Sequence, residues 1–82
     1  MSRIEIGSAV ISKAGRDKGK YMVVIGIEEN YAIIADGQLR KLSNPKKKKF
    51  IHLQSTNVVF GAEDMDSDSK IRKALKQRFA EA

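Results

Sequence analysis

The sequence predicts a mainly β fold, a small barrel of five strands followed by one C-terminal α-helix. Three observations carry that prediction: short β-branched runs up to residue 60 separated by turn residues, a single stretch of helical periodicity after Gly61, and a length of 82 residues, enough for one core only. Residues 1–60 are read as the barrel, and 61–82 as an acidic linker and an amphipathic helix.

The first strand is Ala9 to Lys13, ended by Ala14-Gly15-Arg16-Asp17-Lys18-Gly19-Lys20. Tyr21 to Ile27 follows as a nearly all-apolar second strand, expected at the centre and buried on much of both faces. After a turn at Glu28-Glu29-Asn30 comes a third strand, Tyr31 to Ala35. Asp36-Gly37 is the dipeptide of a two-residue hairpin, because both positions tolerate positive φ, and predicts a returning fourth strand at Leu39 to Leu42. The run Lys46 to Lys49 reads as part of a connection. A fifth strand is expected at Phe50 to Leu53, with Val58-Val59-Phe60 as a late continuation. Beyond Gly61, Ala62 to Asp66 is acidic and loop-like; Ile71, Ala74, Leu75 and Phe79 then recur at helical spacing. Asp66, Ser67 or Asp68 can cap that helix, and Lys73, Lys76 and Arg78 fall toward its C-terminal end, the order the helix dipole favours.

The formal charge is +6 with 16 Lys and Arg against 10 Asp and Glu. Residues 1–62 hold eleven basic and five acidic side chains, whereas 63–82 hold five of each, so the whole excess lies in the barrel. A basic excess favours polyanionic partners. The chain has no cysteine, which removes disulfides, thiolate metal sites and cysteine nucleophiles and is consistent with a cytoplasmic, soluble protein. No Ser-His-Asp arrangement, metal-ligand cluster or P-loop occurs, so no catalytic residue, metal or cofactor is expected. His52, the only histidine, has no ligand pattern around it and receives no role.

The stretch from Gly7 to Val24 resembles the KOW motif, in which a Gly-x-x-Val strand leads through a Gly-basic-Asp-Lys-Gly-Lys loop to a valine-rich strand. Gly7, Val10, Gly15, Lys18, Gly19 and Val23-Val24 occupy the corresponding positions; Tyr21-Met22 stand where the family usually carries a small residue. The first 57 or so residues, with Ala35 to Lys41, Asn44 to Lys49 and His52-Leu53, look like the small bacterial KOW-domain RNA-binding proteins related to archaeal and eukaryotic large-subunit ribosomal proteins. The resemblance implies an SH3-like barrel and RNA, especially ribosomal RNA, as the partner, in a translation-related role and with a monomer when free.

The residues themselves point toward anions as well. Gly15 and Gly19 can adopt backbone angles closed to other residues and expose N–H groups, while Lys13, Arg16, Lys18 and Lys20 project around them. Asp17 is expected to fix the turn or to orient Arg16. Arg40, Lys41, Lys46, Lys47, Lys48 and Lys49 form a second basic block that a barrel would bring beside the first. The plainer reading of both segments is a tight turn and a solvated connection. Tyr21 and Phe50, beside basic segments, are candidates for stacking on bases, although core filling is the simpler role for Tyr21, Tyr31, Phe50 and Phe60. Two further readings compete with RNA binding: a protein-interaction module docking a partner on Ile71, Leu75 and Phe79, and attachment to an anionic membrane, which lacks an apolar anchor.

Overall fold

The apolar runs pair into one antiparallel sheet. The computed structural model describes residues 4–79: β1 is Ser8–Ser12, β2 Tyr21–Glu28, β3 Tyr31–Ala35, β4 Lys46–Lys49 and β5 Leu53–Val59, and the helix α1 is Asp68–Arg78. Two 3-10 turns, Phe50–His52 and Ala62–Met65, precede β5 and α1. The sheet order is β4-β3-β2-β1-β5 with every pairing antiparallel. β2 is central, as its composition predicts, and its consecutive Met22, Val23 and Val24 are all buried.

The sheet is strongly curled. β4 and β5 are its two edges, yet only Phe50–His52 separate them in sequence. Four strand spacings in a flat sheet amount to about 19 Å, whereas three residues of 3-10 turn rise only about 6 Å. Curling closes the difference, helped by register shifts between Ser8 and Val10 and between Val24 and Gly26, since bulges bend strands. No ladder joins β4 to β5 among the described residues. The concave face holds Val10, Met22, Val24, Ala32, Ile34 and Leu53, with Ile4 and Phe50 packed against them.

The opposite face is covered by α1. Val23 and Ala35 from the sheet meet Ile71 and Leu75 from the helix, flanked by Ile25, Leu42, Phe60 and Met65. The period-two alternation of β2 sends Val23 to this face and its neighbours to the other. Each fully buried Val, Leu or Ile side chain contributes about 1.5–3 kcal/mol, so this helical stripe is a substantial part of the fold. Ser67 is the residue that caps the helix, its Oγ accepting the Lys70 N–H at 3.2 Å. Asp68 instead accepts the Leu42 N–H at 2.8 Å, and Asp66 pairs with Lys70 one turn on. No described helix is long and apolar enough to cross a membrane.

The region after β3 departs from the sequence prediction. Leu39 to Leu42 is not a strand, and Asp36-Gly37 is not a two-residue hairpin: residues 36–45 form a loop, and the returning strand is the lysine run itself. The cause is where the backbone donors go. Asp36 Oδ1 accepts the N–H groups of Gln38 and Arg40 at 2.8 and 2.9 Å, and Leu42 N–H is taken by Asp68. Alternate donors that a ladder would need are thus spent on side chains. Lysines enter β4 despite modest strand preference because an edge strand pairs through its backbone on one side, and charge there blocks further pairing. Phe50–His52 forms a turn, and β5 begins at Leu53 and takes in Val58 and Val59, with Phe60 just outside.

Candidate nucleic-acid interface

The β1–β2 loop is built as a tight, self-bonded turn. Gly15 and Gly19 have φ of 78° and 84°, left-handed angles that favour glycine. Lys18 N–H donates to Gly15 O at 3.2 Å, Gly19 N–H to Ser12 O at 2.7 Å and Lys20 N–H to Asp17 O at 2.9 Å. This corrects the expectation that Gly19 offers its N–H to an anion; that donor is already used. Capacity for anions therefore rests on side chains. Lys13, Arg16, Lys18 and Lys20 are exposed, and none has a carboxylate partner among the described residues.

Asp17 sits inside this cationic ring but is 3% exposed. Its partner is Arg40, 23 positions away, and not Arg16: Arg40 Nε and Nη2 both lie 3.2 Å from Asp17 Oδ2. The pair removes the one carboxylate that would repel a phosphate at the loop. It also pins the loop after β3 to the loop after β1.

Alternation along β4 divides the lysine run. Lys46 and Lys48 pair with Ile34 and Ala32 and share their concave side, whereas Lys47 and Lys49 pair with Ile33 and Tyr31 and point the other way. Lys48 reaches across to the glycine loop, donating to Ser12 Oγ at 2.9 Å and Ala14 O at 2.6 Å. The two basic segments are therefore adjacent in space. Lys47 binds Glu28 Oε1 at 2.7 Å and lies 4.9 Å above the centre of the Tyr31 ring; the hydrogen bond and charge of Glu28 raise its pKa above the ordinary lysine value. Lys41, Lys46 and Lys49 are exposed and carry no such partner among the described residues.

Of the aromatic candidates, Tyr21 stacks on Phe79 with ring centres 4.2 Å apart and planes 13° from parallel, and Phe50 packs against the concave core. Both are occupied within the fold. The helical stripe offered as a docking surface is likewise turned inward, with Ile71 and Leu75 buried.

Three cations lie outside the set that the sequence assigns to anion binding, two of them, Lys73 and Lys76, being read there only as complements of the helix dipole. Arg72, Lys73 and Lys76 line a groove together with Lys20 of the glycine loop. The zero net charge of residues 63–82 hid them, because four of its five acids fall at 63–68 whereas all five bases lie on α1. The available signal was their spacing, Arg72 and Lys73 standing four and three positions before Lys76 on the exposed part of the helix. No protein-family model matches the chain.

Proposed function

We propose that this protein is an RNA-binding module of the KOW type, a cytoplasmic, translation-related SH3-like barrel that grips the phosphates of structured RNA, ribosomal RNA being the leading target. A curled five-stranded antiparallel sheet joined edge to edge by one turn is the arrangement that reading needs. The observation that carries it is the Lys48 contact: Lys48 and Ala14 are 34 positions apart, and their contact sets the lysine strand beside the glycine loop. Lys13, Arg16, Lys18, Lys20, Lys41, Lys46 and Lys49 then supply exposed cations, while Asp17 is neutralised internally by Arg40. Lysine ammonium groups on flexible stems meet phosphates as point charges and present no fixed bidentate donor pattern to a base edge, which favours backbone grip over sequence readout.

Titration of the chain with structured RNA and with single strands at several salt concentrations tests the proposal. About five phosphates neutralised on a single strand give a log–log salt slope of roughly −3 to −4. Charge reversal, Lys18→Glu with Lys20→Glu, weakens binding and flattens the slope. Absence of affinity at low salt, or indifference to the reversal, refutes it.

A further inference from the structure

We infer that the groove between α1 and the glycine loop is a site for a single nucleotide, its phosphate held by lysines and its base lying against the Arg72 side; the inference rests on the RNA-binding reading in taking that nucleotide as an unpaired residue of RNA. The groove has a volume of about 630 Å³, inside the roughly 300–1,000 Å³ range of small-ligand sites. Lys20 stands on the loop wall and Arg72, Lys73 and Lys76 on the helix wall. Four cations thus face one carboxylate, that of Asp36, whose Oδ1 already accepts two backbone N–H groups.

The groove is shaped for more than a point charge. Arg72 Nη1 donates to Gly37 O at 2.8 Å, which fixes one end of its guanidinium plane, and a fixed guanidinium plane is a surface on which bases stack. Leu75 and Tyr21 add apolar lining, and the amides of Gln38 and Gln77 supply donors and acceptors for a base edge. Gly19 leaves open space where a side chain would stand, so the entrance is wide on the loop side. An acidic peptide would use the cations and leave the apolar lining and the guanidinium plane unused; a duplex, being convex, would reach only the rim.

Amide NMR of the full chain, titrated separately with adenosine monophosphate, inorganic phosphate and an oligo-glutamate peptide, tests the site. Adenosine monophosphate is expected to shift the amides of Gly19, Lys20, Ser69 and Lys73 and to bind about tenfold more tightly than phosphate, the lower part of what one stacked base supplies. Lys73→Gln with Lys76→Gln, both at exposed positions, weakens adenosine monophosphate and inorganic phosphate alike without moving the thermal midpoint, whereas Arg72→Gln removes the preference of the site for the nucleotide. Equal binding of nucleotide and phosphate, shifts elsewhere, or tighter binding of the peptide overturns the site. A hairpin RNA with one bulged adenosine, compared with its fully paired counterpart, distinguishes the sources. A preference for the bulge that Arg72→Gln loses assigns the nucleotide to RNA. Nucleotide binding in a chain with no RNA affinity at low salt keeps the site and refutes the RNA module, whereas RNA binding with no response to nucleotide or bulge refutes the site alone.

Discussion

Replacing Arg40 by methionine separates two roles that a basic residue beside the glycine loop can have: holding the fold and contacting a ligand. Asp17 is 3% exposed, and both Arg40 contacts fall on its Oδ2. In Arg40→Met the carboxylate stays buried without its counter-charge. Breaking a buried pair from one side costs about 3–5 kcal/mol; the Arg40 side chain is 26% exposed, so the lower end applies. For a domain of this size each kcal/mol moves the thermal midpoint by roughly 4–8 °C, which makes the expected fall roughly 12–24 °C for about 3 kcal/mol. Thermal unfolding followed by circular dichroism, in the absence of RNA, reads it directly. The double variant Asp17→Leu with Arg40→Met should recover most of the loss, because an apolar pair of similar volume avoids the desolvation. A midpoint for Arg40→Met within about 2 °C of the parent, on that same scale, would show that the pair does not hold the loop and would refute the reasoning.

Three further outcomes are expected. Gly37→Ala should destabilise more than Gly19→Ala: both have left-handed φ, worth about 1–2 kcal/mol, but a Cβ at Gly37 would overlap the Asp68 carbonyl whereas one at Gly19 meets nothing, and chemical denaturation compares them. Leu75→Ala, at a buried contact between helix and sheet, should lower stability by about 2–5 kcal/mol in the same assay, and a loss near zero would mean that α1 is not docked as described. Lys48→Met should speed hydrogen exchange at Gly19 and Lys20 by freeing the Ser12–Ala14 segment, while Lys47→Met, whose Glu28 contact is exposed, should leave exchange and thermal midpoint unchanged.

The parts of the fold legible in the sequence are those whose cause is local. The apolar runs of β1, β2 and β3 announce burial, and Ile71, Ala74 and Leu75 announce a helix face, because burial selects side chains one residue at a time. What was not legible depends on partners far along the chain. Nothing near Leu39 shows that Asp68 will take the Leu42 N–H 26 positions away, and without that knowledge Asp36-Gly37 reads as a hairpin. The lysine run gives the same lesson: its strand is set by the unpaired edge of β3 and not by its own preferences. Asp17 is expected to accept nearby backbone N–H groups or to orient Arg16, whereas its side-chain partner in the structure is Arg40, from the second basic block.

Those long-range contacts have a common effect on the candidate interface. The loop spanning residues 36–45 has little apolar anchorage, with Leu39 largely exposed, and is held by polar pins: Arg40 to Asp17, Leu42 N–H to Asp68 and Gly37 O to Arg72. The two arginine pins use only part of their donors' capacity. A guanidinium carries five N–H groups, so Arg40 and Arg72 keep donors for a phosphate after satisfying their internal partners. A phosphate reaching Arg40 has no reason to displace Asp17, whose burial makes separation expensive. Both arginines are therefore already positioned, and contact with them sacrifices less side-chain entropy than contact with the free lysines around them. Under the proposed RNA-binding reading, the lysines set the salt dependence of binding, while the pinned Arg40 fixes where a phosphate meets the glycine loop and the pinned Arg72 fixes where a base lies.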